Sequence, residues 1–301
     1  MNNLKLIEDV LCYIDEHLKE NITFEYLADV FGYSSFHFHK IFSSVTGQTI
    51  TGYLRKRRLM YANIELCDTE KTITDICYDN GFGSIQSFNR IFKTTYGMLP
   101  SDVRKQNYKI DYKSVQTIIE GYTKRIHFKG EYIMEPRFAE KNEFILVGSR
   151  KYTGNGFQVI GEAWQELKTN WDKIKRKEPN IMYGFEDYSE DFSKEPLQFY
   201  YMAAVEVESD IDIPDGMHIK KIPKSYYAIF TVNGNNVNGE IGKAFRYIYD
   251  VWLPSSEYCL SNELCADFEY YDERWDCQSS SAQMDLYIPV KKLVNEGERR
   301  C

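Results

Sequence analysis

The chain states one pattern twice. Gly32-Tyr33, Phe38, Lys40-Ile41-Phe42 and Gly47 in the first copy match Gly81-Phe82, Phe88, Arg90-Ile91-Phe92 and Gly97 in the second. From Ser34 and Ser84 onward the offset is 50 residues; before them it is 49, because Gly83 lengthens the second turn by one. Leu27 and Ala28 thereby align with Ile76 and Cys77. Two copies are too few for a solenoid, so the repeat calls for a duplicated helical unit.

In each copy a short apolar-periodic stretch, Phe24–Phe31 or Ile73–Asn80, runs into glycine, an aromatic and then serine. Glycine suits the left-handed position that stops a helix, and serine is a preferred cap for the next one. The layout is that of a helix-turn-helix. In the second helix of copy one, Phe38, Ile41, Phe42 and Val45 share a face, while Phe36, His39 and Lys40 fall at i, i+3 and i+4 on another. In copy two, Phe88, Ile91, Phe92 and Tyr96 pack, and Gln86, Asn89, Arg90 and Lys93 form the opposite stripe. Amide and guanidinium side chains read purine edges bidentately. Between the copies, a helical stretch from Thr51 to Leu66 carries Arg55-Lys56-Arg57-Arg58, a basic run expected in water or near phosphates.

The run Ile73-x2-Ile76-Cys77-x3-Gly81-Phe82-x-Ser84-x3-Phe88-x-Arg90-x-Phe92-Lys93-x3-Gly97-x2-Pro100-x3-Arg104 resembles the AraC/XylS-type regulator signature, and the resemblance spans residues 4–107. Cys77 stands where that family usually has alanine, a swap between small residues. The resemblance implies two helix-turn-helix units joined by a long helix, each setting its second helix in a successive major groove. It implies base-facing roles for Phe36, His39 and Lys40 in the first unit and for Ile85, Gln86, Asn89 and Arg90 in the second, with Lys93 at a phosphate. The implied partner is double-stranded promoter DNA, and RNA polymerase is a further candidate partner.

A length of 301 residues suggests two domains. The expected division is an all-α DNA-binding domain at 1–107, a linker at 108–130 and an α+β domain at 131–301. No apolar run of 18 residues occurs, so no membrane partner is expected. Met1-Asn2-Asn3-Leu4 lacks the features of a signal peptide, which points to the cytoplasm. Seven cysteines without a Cys-x-x-Cys pair read as reduced packing residues. His37 and His39 lie about 200 degrees apart on a helix and do not converge on a metal. No nucleophile elbow, zinc-protease motif or phosphate loop is present, and no cofactor is expected. Residues 1–107 hold 12 basic against 13 acidic side chains, and the remainder 25 against 32. A DNA-binding segment without net positive charge must depend on where its cations sit.

Alternation and β-branched content predict strands near 132–138, 143–152, 181–187, 197–207, 217–222, 225–232, 264–271 and 284–291, with helices near 159–176 and 237–252. The order reads as two similar α+β halves around antiparallel sheets. Ala266-Asp267-Phe268-Glu269-Tyr270-Tyr271 puts carboxylates into an aromatic strand, where each must face water or meet a cation. Asp267 is expected to face solvent. Met134-x-Pro136-x4-Lys141-x5-Val147-Gly148, Phe268-Glu269-x-Tyr271 and Asp285-x-Tyr287-Ile288-Pro289-Val290 together resemble a GyrI-like effector-binding domain over residues 131–293. That resemblance implies a pseudo-twofold pair of β-α-β-β units with a ligand cleft and a glutamate that meets lipophilic cations. Glu269 is the matching position and Glu263 the fallback, with Tyr152, Trp164, Tyr227 and Trp275 as candidate walls. The expected whole is a DNA-binding transcription regulator, not an enzyme, whose second domain senses a small hydrophobic or cationic effector. Two alternatives are a small-molecule hydrolase using the cleft glutamate, and a protein-contact module without ligand.

Overall fold

The computed structural model describes residues 3–18, 20, 22–33, 35–110, 114–128, 134–189 and 198–293, apart from the side chains of Phe36, His37 and residues 125–128. They form two compact units, one spanning Leu4–Phe128 and the other taking in Lys129–Cys301 with the first three residues.

Among the described residues the first unit is helical: α1 (Asn3–Glu16), α2 (Phe24–Val30), α3 (Ser35–Thr46), α4 (Ile50–Asp68), α5 (Ile73–Asp79), α6 (Ile85–Tyr96), α7 (Pro100–Gln106) and α8 (Val115–Phe128). Thr23, Thr49, Thr72 and Ser84 cap α2, α4, α5 and α6, each accepting from the backbone N–H three residues on. The expected cap Ser34 lies outside the described residues. The duplication is repeated in the turn hydrogen bonds. Tyr33 N–H donates to the Ala28 carbonyl (2.9 Å) and Phe82 N–H to that of Cys77 (3.1 Å), while Gly32 and Gly81 donate to Asp29 and Tyr78. Gly81 holds φ +75°, a left-handed conformation that costs glycine nothing.

Phe38, Ile41, Phe42 and Val45 are buried in the first repeat, and Phe88 and Phe92 in the second. Phe88 packs on Phe82 and Phe92 with ring centres 4.9 and 5.5 Å apart. The long helix α4 serves both repeats, sending Tyr53 and Leu54 into one core and Ala62 and Leu66 into the other. Asn63 of α4 holds the chain after α7, donating to the Tyr108 carbonyl at 3.1 Å and accepting from Ile110 N–H at 3.0 Å. The stretch 108–130, expected as a linker, contains α8, and α8 packs against α3. Val115, Ile118, Ile119 and Tyr122 carry the spacing i, i+3, i+4, i+7 of an amphipathic helix, with Gly121 interrupting its visible pattern.

The second unit is an antiparallel sheet of β1 (Arg137–Lys141), β2 (Phe144–Tyr152), β3 (Met182–Asp187), β4 (Tyr200–Val207), β5 (His218–Ile222), β6 (Ser225–Asn233), β7 (Tyr258–Leu260), β8 (Ala266–Tyr271) and β9 (Gln283–Lys292). The order is β1-β6-β9-β8-β3-β4-β2-β5, with the short β7 pairing β9. Helices α9 (Gln158–Thr169) and α10 (Glu240–Tyr247) pack on β2 and β4 and on β6 respectively. Two β-α-β-β units result, β2-α9-β3-β4 and β6-α10-β8-β9, meeting where β3 pairs β8. Each half receives the leading strand of the other, since β1 lies on β6 and β5 on β2.

Three expectations shift. The strand expected at 132–138 sits at 137–141, past Pro136. The helix expected at 159–176 ends at Thr169, and the one at 237–252 turns π-helical over Ile248–Trp252. The three-residue β7 escapes any period-2 search because it is too short to alternate.

Candidate DNA interface and effector site

On α6 burial follows the helical period: Phe88 and Phe92 face inward, Gln86, Arg90 and Lys93 are exposed, and Asn89 is half-buried. Neither Arg90 nor Lys93 makes an ion pair among the described residues, so both cations are available to an outside anion. Ile85 is half-buried against the core of its own repeat. The first repeat departs further from expectation. Lys40 is half-buried, and His39 is only 8% exposed, its ring edge-on to Phe24 at 6.1 Å. The i+3 position from Phe36 thus turns toward α2, and His39 is not presented to DNA. The side chain of Phe36 lies outside the described residues.

The basic run of α4 also divides. Four consecutive helical residues sweep about 300 degrees, so they cannot share one face. Arg57 is buried and pairs with Asp15 through both oxygens, its Nε at 2.6 Å from Oδ1. Arg58 is half-buried and donates to the Glu20 carbonyl at 3.2 Å. Arg55 and Lys56 alone of the four are exposed, and the expected basic cluster is reduced to them.

In the second unit Glu269 is 6% exposed, on the sheet face under α9. Its Oε2 accepts from the Tyr201 hydroxyl at 2.6 Å and the Tyr271 hydroxyl at 2.9 Å. Trp164 of α9 donates from Nε1 to the Tyr201 oxygen at 3.0 Å and stands edge-on to Tyr271 at 5.5 Å. Trp275 also packs on Tyr271, 4.8 Å between ring centres. Burial raises the Glu269 carboxyl to about 7; the two tyrosine hydrogen bonds restrain the rise and nearby Asp267 adds to it. Burial, reinforced by Glu269 itself, pushes both tyrosines well above their ordinary values, so they stay protonated donors.

Gly184, the sheet partner of Glu269, makes this possible. A Cβ there would lie 2.0 Å from Glu269 Oε2 and 2.2 Å from the Tyr201 hydroxyl. Gly184→Ala should therefore force the carboxylate and tyrosine apart. An overpacking cost of about 1–3 kcal/mol is expected in chemical denaturation.

Glu269, Trp164 and Trp275 are brought near one another through Tyr201 and Tyr271. Tyr227 does not join them: it is fully buried on the opposite sheet face, packed on Phe268 at 5.4 Å. Tyr152 lies at the far end of β2, donating to Gln198 at 2.6 Å. Glu263 is an exposed loop residue and no substitute for Glu269. Asp267, expected in solvent, is fully buried two residues from Glu269 on the same face, where Tyr249 donates to it. Tyr201, Tyr271, Gly184 and Asp267 were missed as site residues. Tyr271 and Asp267 were legible in principle, since residues two apart in a strand share a face.

A family model described as a GyrI-like small molecule binding domain matches residues 134–291. The chain belongs to the GyrI-like family. A helix-turn-helix domain model matches residues 27–106 ahead of the GyrI-like domain. Regulatory protein SoxS of Escherichia coli K12 is 39% identical over 104 residues, covering 35% of this chain and 97% of SoxS. The right origin-binding protein of the same strain is 24% identical over 97% of this chain and all of its own length. Transcriptional regulator Rob of Salmonella typhimurium is 24% identical over 97% of this chain. An AraC/XylS-type DNA-binding region joined to a GyrI-like domain makes the chain a transcription regulator with a small-molecule-binding half. Among the described residues no helix is long and apolar enough to cross a membrane.

Proposed function

We propose that the effector is a lipophilic cation seated on Glu269, and that Gln86, Asn89 and Arg90 read bases while Lys93 and Lys40 hold the DNA. The carrying observation is a buried carboxylate whose partners are tyrosine hydroxyls and aromatic rings. Among the described residues no lysine or arginine pairs with it. An ionised carboxylate so placed is costly until a cation arrives. The π faces of Trp164 and Trp275 favour cations of low hydration. On this reading the protein works in the cytoplasm, binds its effector without turning it over, and acts at promoters on RNA polymerase.

Because the cation competes with a proton for Glu269, its affinity should depend on pH. Calorimetry with benzyltrimethylammonium should show affinity level above pH about 7 and falling by up to about tenfold per unit below it. A flat profile from pH 5.5 to 8 rejects the site. For DNA, Arg90→Ala should weaken a promoter-fragment gel shift by roughly tenfold to a hundredfold, the worth of a bidentate base contact. An unchanged shift removes the base-reading assignment.

A further inference from the structure

The helical unit holds a cavity of about 360 Å³, in the size range of small-molecule sites. Its wall is built from the turn after α3, the middle of α4, the end of α6 and α8, and none of the proposed base-reading residues lines it. Two polar atoms of the lining stand out. The Tyr53 hydroxyl and Gln48 Oε1 are both buried and have no hydrogen-bond partner among the described residues. Tyr53 is 2% exposed, with its ring fixed edge-on to Phe42 at 5.6 Å. Leaving a buried hydroxyl and a buried carbonyl unbonded is unfavourable for each, so both are placed to bond whatever enters the cavity.

The charge of the lining is one-sided. Lys56 and Arg57 are its cations, and no carboxylate contributes. Asp15 occupies Arg57, whereas Lys56 makes no ion pair among the described residues. Met60, Ile118 and the Tyr96 ring supply apolar surface. A fitting guest therefore has an acceptor anion for Tyr53 and Lys56, a donor for Gln48, and a flat apolar body between them.

We propose that this cavity is a second effector site, within the DNA-binding unit, for a small hydroxylated aromatic carboxylate. Its carboxylate meets Lys56 and the Tyr53 hydroxyl, and its hydroxyl donates to Gln48 Oε1. Since the wall includes the ends of both second helices, α3 and α6, an occupant favours one mutual placement of the two reading heads. It thereby acts on DNA affinity without passing through the GyrI-like domain.

The test is calorimetry on the full chain with 4-hydroxybenzoate as probe. Saturable binding is expected, weakened about tenfold or more by Tyr53→Phe and again by Lys56→Gln, and weaker for the uncharged 4-hydroxybenzamide. Tyr53→Phe removes only an unpartnered hydroxyl, so its thermal midpoint should equal or exceed that of the parent. Lys56 is exposed on α4, so Lys56→Gln tests the same point without touching the core. Saturating benzyltrimethylammonium should leave the hydroxybenzoate titration unchanged, which separates this site from Glu269. The proposal is overturned by no saturable heat up to about 10 mM, by parent-like binding in both variants, or by competition from the cation.

Discussion

Replacing Glu269 with glutamine is expected to weaken cation binding about a hundredfold while making the protein more stable at pH 8. Both effects follow from one buried charge. Loss of the carboxylate removes the anion proposed to meet the ligand, and truncating a desolvated charge partner typically costs 2–5 kcal/mol, on the order of a hundredfold in affinity. Glutamine keeps an oxygen for Tyr201 and Tyr271 but carries no charge to desolvate. The folded carboxyl titrates at about 7 against an ordinary 4.5. Stability contributed by the raised group is complete below about pH 4.5, is lost as pH rises toward 7, and stays lost above it. The variant should therefore gain on the order of 3 kcal/mol over the parent at pH 8 and almost nothing below about pH 4.5. Urea unfolding of both proteins at the two pH values, beside calorimetry with benzyltrimethylammonium, reads all of this. A variant that binds normally, or gains equally at both pH values, sinks the assignment.

A comparable loss, with the opposite sign for stability, is expected in the helical unit. Asp15→Ala removes the carboxylate that pairs with the buried Arg57, and breaking a buried pair from one side costs about 3–5 kcal/mol. Asp15 and Arg57 lie on α1 and α4, so the packing of the first repeat depends on the pair. DNA binding should fall with it at growth temperature. Removing both charges in Asp15→Leu, Arg57→Met should recover most of the lost stability, because the expense lies in the stranded charge. Thermal unfolding of the three proteins checks the cycle. If the single change lowers stability by less than about 1 kcal/mol, the pair is a surface contact of little worth.

The duplication made the helical unit readable, because glycine, an aromatic and a capped helix start recur with the buried phenylalanines. What escaped was the rotation of single residues. His39 and Arg57 each belong to a stripe that looks polar in sequence but turns inward, His39 against Phe24 and Arg57 onto Asp15. Local periodicity says which side chains share a face and is silent on what lies opposite it. In the second unit, alternation located the long strands, and Glu269 stood out as a carboxylate among aromatics. Tyr201 and Gly184 did not, because they reach Glu269 only through strand pairings between residues distant along the chain. The facing of Tyr227 is hidden for a different reason. Its strand was correct, but a slip of one in facing sends an aromatic to the other side of a sheet.

The crossing of β1 onto β6 and of β5 onto β2 has a consequence for how such a domain can be divided. It is the arrangement that two half-length chains would reach by exchanging their first strands, and a covalent join makes the exchange permanent. Glu269 comes from one half, and the glycine that leaves it room comes from the other. A truncated product containing either half alone would lose an edge strand and part Glu269 from Gly184 in the same cut, so the setting of that carboxylate is heritable only as a whole.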